Sequence, residues 1–315
     1  MKRHRILLAS VLVVGGLAAA TAPTSLRILA YWGARGAANL PSNEFDSRTF
    51  SSGEVLLRYV VEGTGAPVLL VHGFASSVEH NWLRTGVIDA LVEAGFQVVA
   101  YDTRGHGRSE KPHDPAQYGA NDVTDIVRLL DHLGLPQVHL VGYSRGAMLS
   151  HHARQLYPER FWTVTLGGYG SVGDGSGPIE SIPAGEVADS LALGRIGPLA
   201  RALTPEKEGP PSARELALAE GVLKATNDMR ALAATFRAPP LPLIPLASFR
   251  GIRVPTLILI GEHDPLRRQA ERMADAVNDL ELRIIPGADH LGAPGTGEFS
   301  AHLIQFLNRH RSGAD

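Results

Sequence analysis

The sequence predicts an α/β fold: a mostly parallel central sheet with helices on both faces, interrupted by a helical insertion. Short continuous apolar runs recur at residues 68–71, 98–101 and 138–141. Unbroken runs of this kind mark strands covered on both faces, whereas strands with one wet face alternate. Segments with apolar residues at helical spacing lie between the runs, the order expected of βαβ units. Over residues 172–250 the alternation stops, and it resumes with apolar runs at 256–260 and 282–285.

The elements follow in order. Residues 23–50 carry no period and read as a linker, with the fold beginning at about Val55. After Val68-Leu69-Leu70-Val71, the side chains of Leu83, Val87, Ile88, Leu91 and Val92 keep helical spacing, and Gly95 is placed to end that helix. Val123, Ile126, Val127, Leu130 and Leu133 repeat the pattern, with Asn121 or Asp122 as N-cap and Gly134 as stop. Residues 172–250 are rich in Pro and Gly and contain helix-like pieces such as 215–224, with no buried strand. One sheet, formed by residues 51–171 and 251–311, with a helical insertion at 172–250, fits this better than two independent domains. Phe299, Leu303, Phe306 and Leu307 make a closing amphipathic helix.

Composition narrows the function. The chain has 315 residues and a formal net charge of −2, which argues against nucleic acid as a partner. It has no cysteine, so thiolate catalysis, disulfides and cysteine-bound metals are excluded. Lys2, Arg3, His4 and Arg5 precede an uncharged apolar stretch at 6–22, and Ala18-Ala19-Ala20 supplies a small-residue cleavage site before Thr21. Residues 1–22 therefore read as a signal peptide, which implies export to the periplasm or the medium. The alternative is an uncleaved N-terminal anchor, and membrane association through residues 6–22 is expected only in that case.

The chemistry centres on Gly142-Tyr143-Ser144-Arg145-Gly146, a G-x-S-x-G pentapeptide. In a chain with 34 glycines the pattern alone is a weak signal. Its setting strengthens it, because it closes an apolar strand run and opens a helical one, as a nucleophile elbow requires. A neutral serine is a poor nucleophile and needs a base. Of 13 histidines, His290 lies just past the last strand run, where a parallel sheet places its catalytic groups. His72 and His106 are the main decoys, and His72 reads as a structural loop residue. The imidazole needs an acid to fix its tautomer. Asp264, after the penultimate strand run, is favoured over Asp289, which adjoins the histidine, and over Asp174. The order Ser, Asp, His is that of α/β-hydrolases. Backbone N–H groups of Phe74, after Val71-His72-Gly73, and of Arg145 are the expected oxyanion donors.

These pieces, with Trp82 and the run Asp102-Thr103-Arg104-Gly105-His106-Gly107-Arg108-Ser109, resemble the α/β-hydrolase superfamily over residues 55–310, in its serine esterase or lipase-like branch. The resemblance implies that residues 172–250 are a cap domain and that Asp102 and Arg104 are structural. Arg145 is larger than the residues frequent at its position, and Phe74 departs from the glycine-rich form of one esterase branch. The expected activity is hydrolysis of a carboxylic ester or related acyl bond through an acyl-Ser144 intermediate, on a small-molecule substrate. The alternatives are a ligand-binding or receptor-like module of the same fold, or haloperoxidase or carbon–carbon bond hydrolase chemistry on the same triad. Dehalogenases and epoxide hydrolases of this fold use aspartate at the elbow, so Ser144 argues against both. No G-x-x-x-x-G-K-[ST] or H-E-x-x-H occurs, so no nucleotide cofactor and no metal are expected. Leu191, Leu193, Leu223, Phe236 and Leu243 are candidates either to bind an apolar substrate group or to hold the cap together.

Overall fold

The computed structural model describes residues 46–171, 183–204, 209–251, 253–277 and 280–311. Residues 1–22, read from the sequence as a signal peptide or anchor, most of the segment read as linker, and Asp174 lie outside these residues. Eight strands form one sheet: β1 (Arg48–Ser52), β2 (Val55–Glu62), β3 (Ala66–Val71), β4 (Phe96–Tyr101), β5 (Val138–Tyr143), β6 (Phe161–Gly167), β7 (Thr256–Gly261) and β8 (Leu280–Ile285). Their order in space is β1-β2-β4-β3-β5-β6-β7-β8. β1–β2 and β2–β4 pair antiparallel, and every other neighbouring pair is parallel.

The apolar runs are continuous because both faces of the sheet are buried. Along β3, Leu69 and Val71 enter one core while Val68 and Leu70 enter the other; along β7, Ile258 and Ile260 oppose Leu257 and Leu259 in the same way. All eight side chains are fully buried, and each contributes about 1.5–3 kcal/mol relative to exposure. Helices α1 (Val87–Glu93), α2 (Ala120–Leu133) and α3 (Arg145–Leu156) follow β3, β4 and β5 in the chain. The insertion between β6 and β7 contains α4 (Ala184–Ala192), α5 (Gly197–Ala202), α6 (Ala213–Thr226) and α7 (Met229–Arg237), and α8 (Arg267–Ala276) and α9 (Gly297–Arg309) follow β7 and β8. Apolar residues of α2, α3 and α8 fill one face of the sheet, and those of α1 and α9 fill the other.

Three local expectations are corrected. β1 begins at Arg48, inside the segment read as linker, because Phe50 and Ser52 turn inward on an edge strand whose other residues are exposed. The N-cap of α2 is Gly119 at φ 70°, not Asn121 or Asp122; the Asp122 carboxylate instead lies 2.9 Å from the Arg145 guanidinium. The helical spacing from Leu83 to Val92 is split, since Glu79–Leu83 forms a π-helical turn and α1 starts only at Val87. Gly134 and Gly95 do take positive φ after their helices.

The insertion has its own apolar cluster of Val187, Leu191, Ile196, Ala219, Leu223, Leu232 and Ala233, which also takes in Ala75, Phe74, Phe236 and Leu291. The helices of the insertion thus pack onto loops at the C-terminal ends of β3 and β8. Among the described residues no helix is long and apolar enough to cross a membrane.

Candidate active site

The parallel strands end on one edge, and the loops leaving β3, β5, β7 and β8 carry the predicted residues. Ser144 follows β5 directly and sits at φ 53°, ψ −117°, a region that side-chain-bearing residues rarely adopt. Its amide is fixed by donation to the Gly167 carbonyl of β6 at 2.8 Å. The elbow is tight enough that a Cβ at Gly142 would strike the Gly146 carbonyl, and one at Gly146 would strike the carbonyls of Val71 and His72. Only glycine allows α3 to approach β3 and β5 this closely.

Asp264 and His290 come together because the loops after β7 and β8 are tied. The Glu262 amide donates to Ile285 O at 2.9 Å, and the His263 amide to Ala288 O at 2.8 Å. His290 Nδ1 then lies 2.8 Å from Asp264 Oδ2, and His290 Nε2 lies 2.9 Å from Ser144 Oγ. Asp264 Oδ1 accepts the Leu266 amide at 2.9 Å, so the carboxylate is held at both oxygens. Asp264 and His290 are buried at 4% and 3% exposure, out of reach of competing water. Burial works against the imidazolium, but the Asp264 carboxylate, aided by Asp289, outweighs it and raises the His290 pKa above its ordinary value. Asp289 does not compete for the ring nitrogen. Its Oδ1 accepts the amides of Leu291 and Gly292 at 3.1 and 2.7 Å, shaping the loop behind the histidine.

The Phe74 and Arg145 amides are not engaged by any acceptor among the described residues. Arg145 is the first residue of α3, where helix geometry leaves the amide unpaired and partly positive. Its side chain turns away to Asp122. The decoy histidines have structural partners. His72 Nδ1 donates to Gly73 O at 2.8 Å and Nε2 accepts the Thr103 amide at 3.0 Å. His106 Nδ1 donates to Arg104 O at 2.9 Å, and burial, with the nearby Arg145 charge, pushes its pKa well below the ordinary range, so it is neutral.

Asp102 accepts the amides of Val78 and Arg108 at 2.8 and 2.9 Å, and Arg104 grips Asp125 at 2.6 and 2.7 Å. Both act as struts between loops. Of the insertion's candidates, Leu191 and Leu223 are fully buried in its own cluster and Leu193 and Leu243 are mostly exposed. Phe236 is different, meeting the Phe74 ring edge-on at 5.1 Å. Two participants were not visible in the sequence. Tyr143 donates its hydroxyl to His290 O at 2.6 Å, and Asn81 Oδ1 accepts the Gly73 amide at 2.9 Å. Among the described residues no group of three or more His, Cys, Asp or Glu is arranged to hold a metal ion.

Known proteins agree with this architecture. Residues 66–170 match the alpha/beta hydrolase fold family. A 2-(acetamidomethylene)succinate hydrolase from Mesorhizobium japonicum is 29% identical over 273 residues, covering 81% of this chain and 92% of that protein. The bifunctional epoxide hydrolase 2 of Sus scrofa is 35% identical over 132 residues, but the match spans 40% of this chain and only 23% of that protein. The structure of 2-hydroxy-6-oxo-6-phenylhexa-2,4-dienoate hydrolase from Rhodococcus sp. strain RHA1 superposes with a TM-score of 0.65 at 23% identity, covering 85% of this chain and 99% of that one. The chain thus has the α/β-hydrolase fold, residues 66–170 carry the pattern of that family, and these matched relatives are hydrolases.

Proposed function

We propose that this enzyme of the α/β-hydrolase type is a serine hydrolase that cleaves a carboxylic ester or related acyl bond. The observation that carries the reading is the unbroken relay from Ser144 Oγ through His290 to Asp264, at 2.9 and 2.8 Å. Ser144 Oγ attacks the acyl carbon while His290 Nε2 takes its proton; Asp264 holds the Nδ1 tautomer and stabilises the imidazolium. The tetrahedral oxyanion accepts hydrogen bonds from the free Phe74 and Arg145 amides, already oriented before charge develops. Collapse of the intermediate expels the alcohol, which takes the proton from His290. Water, deprotonated by the same base, then releases the acid from acyl-Ser144. Serine at the elbow favours this sequence over epoxide opening or dehalogenation, which use an aspartate ester in this fold.

Residues 172–250 act as the cap, and the apolar wall of Phe74, Phe236 and Leu291 receives the acyl or alcohol group. The test is hydrolysis of p-nitrophenyl esters by the wild type and Ser144→Ala. Loss on the order of 10⁴-fold or more in kcat is expected, since among the described residues Ser144 is the nucleophile hydrogen-bonded to the base. Near-wild-type turnover by folded Ser144→Ala protein would sink the reading.

A further inference from the structure

Only two described non-glycine residues take positive φ, Ser144 at 53° and Ala75 at 50°. They bracket the candidate oxyanion hole, one from the elbow and one from the loop after β3. Strained backbone persists only where surrounding contacts determine it, and Gly73, two residues before Ala75, also lies against Ser144. A Cβ built on Gly73 would lie 3.4 Å from Ser144 Cβ and 3.3 Å from Tyr143 O, so this residue sits directly against the nucleophile. Both of its backbone groups are held: the carbonyl by His72 Nδ1 at 2.8 Å and the amide by Asn81 Oδ1 at 2.9 Å. In a trans peptide the carbonyl and the next N–H point opposite ways. The Gly73 carbonyl held by His72 thus lies in the plane that carries the Phe74 N–H, and Asn81 fixes the plane before it, joined to that one at the Gly73 Cα.

Asn81 is built into this role. It is 97% buried, with 3% exposure, and only its Oδ1 can accept an N–H, so the amide orientation is set. It stands on the π-helical turn of residues 79–83, a rare geometry that recurs at functional sites. The turn is tethered at both ends: Asp102 accepts the Val78 amide at 2.8 Å, and Thr85 Oγ1 donates to Asn81 O at 2.8 Å. We infer that Asn81 is a positioning residue of the oxyanion hole, holding the Gly73 amide so that the Phe74 N–H is left as the aligned donor. The inference rests on the serine-hydrolase reading and adds to it a residue outside the triad and the two donors.

The test compares Asn81→Leu, which keeps the size and removes the acceptor, with Asn81→Asp, which keeps the acceptor. With p-nitrophenyl butyrate, Asn81→Leu should lose on the order of 10²-fold in kcat, the size of one misaligned oxyanion donor, with KM within about threefold because ground-state binding is untouched. Expressed relative to wild type at the same pH, Asn81→Asp should recover most of that rate wherever its buried carboxyl is protonated and neutral. Its activity should fall as pH rises and the carboxyl ionises, since the carboxylate repels the developing oxyanion. Wild type lacks this decline, and a residue that only stabilised the loop would not give a kcat-only loss in Asn81→Leu that the neutral acceptor of Asn81→Asp restores. A wild-type kcat for Asn81→Leu would overturn the inference, as would an Asn81→Asp profile without that decline. If Asn81→Leu does not fold, the Asn81→Asp profile decides alone. Ser144→Ala is measured alongside: its inactivity with a fully active Asn81→Leu refutes the Asn81 role only, while persisting turnover in Ser144→Ala refutes the serine reading itself.

Discussion

Replacing Asp264 by Asn removes one charge and changes no shape, yet the geometry leaves the amide no good orientation. One carboxylate oxygen accepts the Leu266 N–H at 2.9 Å and the other accepts His290 Nδ1–H at 2.8 Å. If the Asn oxygen stays on Leu266, its NH₂ faces Nδ1, which must then become an acceptor. The imidazole proton moves to Nε2, against Ser144 Oγ, and the base is blocked. If the oxygen instead faces Nδ1, the NH₂ meets the Leu266 N–H, donor against donor in a buried site. Loss of tautomer control in a serine triad costs about 10⁴-fold, or about 5 kcal/mol of barrier at 1.36 kcal/mol per decade. Asp289→Asn is the control, because its Oδ1 accepts two amides and an Asn oxygen can do the same; its loss should stay within about tenfold. The assay is kcat and kcat/KM on p-nitrophenyl butyrate, with circular dichroism to verify folding. A larger kcat loss in Asp289→Asn than in Asp264→Asn would refute the assignment of the acid.

Further outcomes follow from the same geometry. Because the His290 pKa is raised and the base must be neutral, kcat/KM should climb with pH through a midpoint above the ordinary histidine value; Asp289→Asn removes one of the raising charges and should shift that midpoint down, and an upward shift would contradict it. Leu223→Ala should destabilise the protein by about 2–5 kcal/mol through cavity formation while leaving acyl-length preference unchanged, since Leu223 is fully buried in the insertion's own cluster; denaturant titration and an ester series check both halves. Phe236→Ala, at the Phe74 ring, should instead change the rank order of esters, by about 1–3 kcal/mol per methylene discriminated. Unchanged rank order in kcat/KM would remove Phe236 from the substrate wall.

The sheet core and the meeting of the three loops were legible because each rests on a strong local signal. Val68-Leu69-Leu70-Val71 and residues 256–260 are apolar without interruption, and the elbow needs glycine at 142 and 146 for steric reasons that leave a mark in sequence. β1 left little mark, since an edge strand of RTFSS buries only alternate residues. Asp122 looked like a helix cap because short acids favour that position, but its carboxylate serves Arg145 across the core. Asn81 was invisible for a similar reason: one side-chain acceptor meeting a backbone amide eight residues away follows no period. Within the insertion, spacing could not separate Leu223, which holds the helices together, from Phe236, which reaches the loop after β3. That distinction depends on how α6 and α7 face the sheet.

The most direct test of the Ser144 relay is reaction of the folded protein with a fluorophosphonate, followed by peptide mapping by mass spectrometry. Such probes need an activated serine with a neighbouring base and bound oxyanion, the combination formed by Ser144, His290 and the two free amides. A single stoichiometric adduct on Ser144, lost in His290→Ala, is the predicted result. An unmodified folded protein, or an adduct on another residue with Ser144 intact, would contradict it.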